Sequence, residues 1–131
     1  MNKDLISIVV PVFNSDDCVD KLCEIIDKEA NQEYELILIN DKSSDNSWAK
    51  IKARASINEK IIGVNLRKNF GQDNAIMAGL SIAKGDYIVI MDDDLQHPPQ
   101  SLISIYEKLD LYDACYTLYL KRKHVYWKIL V

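Results

Sequence analysis

Apolar residues follow two alternating rhythms along this chain: short runs suited to buried strands, and stripes at helical spacing. Leu5 to Val12 is an apolar run rich in β-branched residues, which predicts a strand buried on both faces. Ser15 or Asp16 then offers a helix cap, and Val19, Leu22, Cys23 and Ile26 recur on one helical face. Tyr34 to Asn40 predicts a second buried strand, and Asp41 to Ser44 a polar loop. Ser44 or Asp45 is placed to cap a second helix that turns Trp48, Ile51 and Ala55 inward. Lys60 to Leu66 reads as a third strand with Gly63 inside it. Gly71 opens a third helical stretch with Ala75, Ile76, Gly79, Leu80 and Ala83 on one face, and Gly85 is placed to end it as a left-handed cap. Asp86 to Met91 predicts a fourth strand. Pro98 and Pro99 suit the first turn of a fourth helix, with Leu102, Ile105 and Leu109 facing its core. Asp113 to Leu118 reads as a fifth strand.

Strands apolar on both faces, alternating with helices, predict an α/β domain: a Rossmann-like, mostly parallel sheet flanked by helices. Ligands of such sheets sit beyond the carboxyl ends of the strands. Asn14, Asp41 and the run Asp92-Asp93-Asp94 all follow strand ends, so residues far apart in sequence should meet on one edge. The acidic run carries the most chemistry. Three adjacent like charges repel, and a bare fold has little use for them. A hard divalent cation, Mg²⁺ or Mn²⁺, takes carboxylate oxygens and shares them with substrate phosphates. The run therefore points to a metal and, through it, to a phosphorylated ligand.

Composition narrows the classes. The 131 residues suit one domain, and a hydrophobic share of 48% is enough for a core. A net charge of −4 argues against a nucleic-acid binder. Three cysteines, Cys18, Cys23 and Cys115, contain no CxxC pair and leave one thiol over in any disulfide scheme, which predicts small core residues in a reducing cytoplasm. No apolar run approaches the roughly 20 residues of a membrane helix. Residues 121–131 read as a tail, basic at Lys121, Arg122, Lys123, His124 and Lys128 and ending within an apolar run, so the natural chain is expected to continue. The absence of GxGxxG or a phosphate-loop pattern disfavours a dinucleotide oxidoreductase. A phosphotransferase of the haloacid dehalogenase type would carry its acidic pair on the first strand, not the fourth.

Five stretches in order carry a resemblance. They are Ile8 to Asn14 (IVVPVFN), Leu38 to Ser47 (LINDKSSDNS), Leu66 to Gln72 (LRKNFGQ), Ala78 to Leu80 with Ala83 to Asp86, and the acidic strand end through Pro99 (MDDDLQHPP). Together they resemble the family 2 glycosyltransferases, most of all the dolichyl- and polyprenyl-phosphate sugar transferases, over nearly the whole chain to about Leu120. The resemblance implies a GT-A fold over residues 1–120 and inverting transfer of a sugar from a nucleotide diphosphate-sugar, a uridine-linked donor by expectation. The acceptor it implies is polyprenyl phosphate at the inner face of the membrane, with peripheral membrane contact. A saccharide acceptor in surface polysaccharide synthesis, or a nucleotide-binding fragment inactive by itself, are the other readings.

Carried over by position, the resemblance puts Pro11, Phe13 and Asn14 in the nucleoside pocket and gives Asp41 a hydrogen bond from the base. Asp92 and Asp94 become the DxD pair, Asp93 lies near the ribose, and Asp94 and Gln96 reach the metal and diphosphate. Asp41 could equally nucleate a turn with Ser43. Asn69-Phe70-Gly71 reads either as a helix entry with Phe70 in the core or as a ligand contact, and His97 reads as a loop residue. Four positions depart from the family pattern: Ser15 stands where glutamate is common, Asn40 where an acid is common, and Lys42 and Asn46 where glycine is usual. No general base is evident in this stretch.

Overall fold

The computed structural model describes residues 4–95, 107–108, 114–120 and 124–130. Strands β1 (Ile6–Val12), β2 (Tyr34–Asn40), β3 (Ile61–Asn65) and β4 (Tyr87–Ile90) alternate with helices α1 (Asp16–Glu29), α2 (Ser47–Ile57) and α3 (Gln72–Ile82). The four strands form one parallel sheet in the order β3-β2-β1-β4. The register runs Ile6↔Tyr34 to Val12↔Asn40 between β1 and β2, and Ile6↔Tyr87 to Val9↔Ile90 between β1 and β4.

That order explains where the helices lie. The chain steps from β1 to β2 to β3 in one direction, then returns across the sheet to place β4 on the far side of β1. Right-handed crossovers put the helices of the outward steps on one face and the helix of the return step on the other. The core divides accordingly. Ile8, Val10, Val12, Leu36 and Leu38 pack with Val19, Leu22, Cys23 and Ile26 of α1 and Ile51 of α2. Val9, Ile37 and Ile39 pack with Ala75 of α3 on the opposite face. Every residue of β1 and β2 is buried, as unbroken apolar runs require. The strand β4 differs: Val89 is buried, but Ile88 and Ile90, facing the other way, are 45% and 50% exposed.

Two helix boundaries depart from the sequence reading. The second helix has its N-cap position at Asn46, not at Ser44 or Asp45. Its first amides are served both locally and across the fold: Asp45 Oδ1 accepts Ser47 N at 2.9 Å, so the Asp45 side chain does cap the helix, while Asp16 Oδ2 accepts Asn46 N at 3.2 Å and Asp45 Oδ2 accepts Asp16 N at 3.1 Å. The α1 and α2 N-termini thus cap one another. Gly85 is not a left-handed cap; α3 ends at Ile82, with Ala83 in extended backbone. Gly85 answers a close approach: its amide donates to Ser7 Oγ at 2.7 Å, and a Cβ there would sit 2.5 Å from that oxygen. Ser7 in turn donates to Glu35 Oε1 at 2.6 Å, which also accepts Lys84 N. This buried network pins the α3–β4 connection to the sheet.

Cys23 is buried, and burial, partly offset by Arg54, pushes its thiol up to about 11. It serves as a core residue. Downstream, β5 (Ala114–Leu120) and β6 (His124–Leu130) form an antiparallel pair in register from Ala114↔Leu130 to Leu120↔His124. The fifth strand therefore sits one to two residues later than expected, and most of the segment read as a tail is a strand. Glu107 and Lys108 are helical. Gln96, His97, Pro98, Pro99, Leu102, Ile105, Leu109 and Lys121 to Lys123 lie outside the described residues. Among the described residues no helix is long and apolar enough to cross a membrane.

Candidate functional site

The reversal in strand order falls between β1 and β4, and crevices of open parallel sheets form beyond the carboxyl ends of strands at such a point. An open cavity of about 490 Å³ lies there, lined by Pro11, Val12, Phe13, Asp41, Asn69, Gly71, Gln72, Asp92, Asp93 and Asp94. Six sequence candidates meet in it: Pro11, Phe13, Asp41, Asp92, Asp93 and Asp94. Phe13 is 49% exposed, an aromatic face open to a flat ligand. Asn14 does not line the cavity. Its side chain accepts the amide and hydroxyl of Ser44, and its own amide donates to Ser43 Oγ. It joins the β1 and β2 loops from a left-handed backbone, at φ 49°. Gln96 lies outside the described residues.

Asp41, 3% exposed, accepts the amides of Phe70 at 2.8 Å and Gly71 at 3.0 Å on its two oxygens. It does not make the turn with Ser43; Asn40 Oδ1 accepts Ser43 N instead. Asp41 therefore holds the entry to α3, where Gly71 adopts φ 90°. Phe70 is not in the core; its side chain is 51% exposed while its backbone serves Asp41. Lys42 sits at φ 59°, in the region that favours glycine, which gives the family's usual glycine at this position a physical reason.

The three adjacent carboxylates are separated by their partners. Asp93 Oδ2 accepts Phe13 N at 3.1 Å and Ser15 Oγ at 2.5 Å, tying the β4 loop to the β1 loop. Asp92 Oδ1 accepts the side-chain amide of Gln72 at 3.1 Å. Asp94 is exposed, and Leu95 turns the chain sharply at φ 59°. Among the described residues, no three His, Cys, Asp or Glu side chains converge to hold an ion by themselves. The donor set is nevertheless hard oxygen at an open cavity, which fits a cation bound by one or two carboxylates and completed by phosphate oxygens.

Strand-end logic names strands 1, 2 and 4, and the sequence leaves the stretch after β3, Asn69-Phe70-Gly71, open between a helix entry and a ligand contact. Asn69, Gly71 and Gln72 line the cavity from there. Their signal is a polar stretch between a strand end and a helix start, weaker than a run of acids because amides and glycine carry no charge.

Fold and site together define an open, parallel α/β domain with carboxylates at the switch point. The sequence pattern of glycosyl transferase family 2 matches residues 7–129, and the chain belongs to that family. It is 42% identical over 101 residues to an undecaprenyl-phosphate 4-deoxy-4-formamido-L-arabinose transferase of Proteus mirabilis, covering 74% of this chain. The chain spans only 31% of that relative's length. Two solved GT-A structures share the fold. One is a mannosyltransferase from Pyrobaculum calidifontis in complex with GDP-Man and Mn²⁺, at TM-score 0.70 and 20% identity over 83% of this chain and 33% of that one. The other is glucosyl-3-phosphoglycerate synthase from Mycobacterium tuberculosis in complex with Mn²⁺, UDP and glucosyl-3-phosphoglycerate, at TM-score 0.66 and 20% identity over 81% of this chain and 39% of that one.

Proposed function

We propose that this chain is the donor-binding part of an inverting glycosyltransferase that passes a sugar from a nucleoside diphosphate-sugar to polyprenyl phosphate. One observation carries the reading: a single cavity at the switch point has Phe13 and Asp41 on its walls together with Asp92 and Asp94. An aromatic face and a buried carboxylate suit a base, and the acids suit a cation that bridges to a diphosphate. Each Asp41 oxygen already takes one backbone amide and keeps a second lone pair for an imide N–H, which favours a uridine-linked donor. The relative's printed name supports the polyprenyl phosphate acceptor, and the Mn²⁺ named with both neighbours supports a divalent ion.

In this reading an acceptor phosphate oxygen attacks the anomeric carbon. The bond from that carbon to the diphosphate breaks, its electron pair leaves on the diphosphate oxygen, and the configuration inverts. Asp92, Asp94 and Gln96 would hold a divalent cation, which would supply charge stabilisation for the departing diphosphate. Phe13 and Asp41 hold the nucleoside, which fixes the anomeric carbon in the cavity. An ionised phosphate needs little help from a general base, so positioning is the main demand. The basic residues Lys121, Arg122, Lys123 and Lys128 suit the anionic cytoplasmic face of a membrane, where such an acceptor resides.

Calorimetric titration with UDP, GDP, ADP and CDP, each with and without Mn²⁺, tests the reading. The expected result is Mn²⁺-dependent binding with UDP strongest, reduced at least tenfold by Asp94→Asn with the fold intact. Failure of all four nucleotides to bind would overturn it.

A further inference from the structure

Gln72 stands between the two ends of the cavity. It is the first residue of α3, and the helix behind it is seated by Ala75, which is fully buried against the sheet. The residue before it, Gly71, is held by Asp41 Oδ2 at 3.0 Å. Its own side chain lines the cavity and donates from Nε2 to Asp92 Oδ1 at 3.1 Å. The bonds thus run from Asp41 through Gly71 and Gln72 to Asp92, spanning strands β2 and β4, whose ends are not sheet neighbours.

The consequence for Asp92 is geometric. A carboxylate at the end of a strand, next to two others, rotates freely about its side-chain bonds unless something fixes it. Asp93 is fixed from the β1 side by Phe13 N and Ser15 Oγ. Asp92 is met from the α3 side by an uncharged donor. The amide proton received by Oδ1 limits how the carboxylate can turn, which lowers the cost of orienting it toward a cation. A lysine here would neutralise the carboxylate and compete with the ion; an amide orients without neutralising.

We propose that Gln72 is a positioning residue for Asp92, setting the affinity of the cavity for a divalent cation. This rests on the reading of Asp92 as a metal-site carboxylate. It also predicts coupling: a base that draws on Asp41 and a cation that draws on Asp92 act through the same helix entry, so each should tighten the other, reciprocally.

The test uses the 131-residue chain with Gln72→Ala and with Gln72→Met, which keeps the length and loses the donor. Mn²⁺ is titrated at saturating UDP, and UDP is titrated separately in chelator. The positioning role predicts that both variants weaken Mn²⁺ binding by about tenfold, the lower end of the range for groups that orient metal ligands. UDP affinity in chelator and the unfolding temperature should stay at the parent values. Mn²⁺ titrations that superimpose on the parent's would overturn the role of Gln72 while leaving the metal site standing. An equal loss of UDP affinity in chelator would also overturn it, since that marks a disturbed loop. A parent chain that binds UDP with no response to Mn²⁺ would remove the metal site and this inference together.

Discussion

Replacing Asp41 with alanine should damage the fold before it damages any ligand contact. The carboxylate is 3% exposed and holds two backbone amides, Phe70 N at 2.8 Å and Gly71 N at 3.0 Å. A hydrogen bond to a charged group contributes about 1.5–3 kcal/mol, and an anion at a helix N-terminus about 0.3–1 kcal/mol more. The two bonds together would give about 3–6 kcal/mol, but the loop borders an open cavity and water replaces part of them, leaving about 2–4 kcal/mol. In a chain of this size that corresponds to a fall in midpoint of roughly 6–15 °C. Asparagine keeps one acceptor and loses the charge, so Asp41→Asn should lose about 1–3 kcal/mol. Circular dichroism melts of the parent and both variants give the stability; UDP titrations, at a temperature where all three are folded, then give the ligand contribution separately. An alanine variant melting within about 2 °C of the parent would refute the reasoning, because two buried charged hydrogen bonds cannot be that cheap to remove.

The other predictions follow from local geometry. Lys42→Gly should raise stability by about 0.5–1 kcal/mol, since relief of a left-handed backbone at φ 59° outweighs the entropy of glycine; an unchanged or lower urea midpoint would refute it. Gly85→Ala should cost about 1–3 kcal/mol, because its Cβ would meet Ser7 Oγ at 2.5 Å and Ser7 N at 2.6 Å; a stability equal to the parent's would show that the α3–β4 connection shifts freely. Burial opposes ionisation of Asp45, but hydrogen bonds from the Ser47 hydroxyl and amide and from Asp16 N outweigh it and hold its carboxyl below the usual value. Its stabilisation is therefore present above the unfolded-state pKa and lost as pH falls through the lower folded-state value. Melting temperatures between pH 7 and pH 3 should fall less steeply for Asp45→Asn than for the parent, and parallel curves would exclude Asp45 from the acid limb.

Much of this was legible in the chain because the physics is local. Apolar runs located β1 to β4 to within a residue or so, and the helical stripe of α1, Val19, Leu22, Cys23 and Ile26, is buried as read. Strand-end logic brought Asp41 and the three acids to one cavity, and the family resemblance added Pro11 and Phe13. What was missed depends on partners about thirty or more residues away. Asn14 bonds the Ser43–Ser44 loop rather than facing the cavity, and Asp16 and Asp45 cap one another's helices, so a cap search within each helix put the α2 boundary too early. Gly85 looked like a helix stop because glycine has two uses, and only the position of Ser7 reveals the second. Phe70 looked like core because aromatics usually are, yet it is the backbone at 70 that the fold needs. The strand β4 read as buried on both faces, and the described residues cover only one.

The acidic run itself shows how a local liability becomes a joint. Three neighbouring carboxylates repel, and a cation shared with a diphosphate, as proposed above, would offset that only with a ligand bound. The protein does not wait for the ligand. Asp93 receives Phe13 N and Ser15 Oγ, so its charge is spent on stitching the loop after β1 to the loop after β4. Those loops flank the switch point, the one place in the sheet where neighbouring strands send their crossover helices to opposite faces. The Asp93 bonds supply a crosslink across that seam. Asp93 thus serves the fold, while Asp92 and Asp94 flank it at the wall of the cavity. Ser15 gains a role from the same geometry: a hydroxyl can donate to Asp93, whereas the glutamate common at this position in the family would bring a fourth acid against the run.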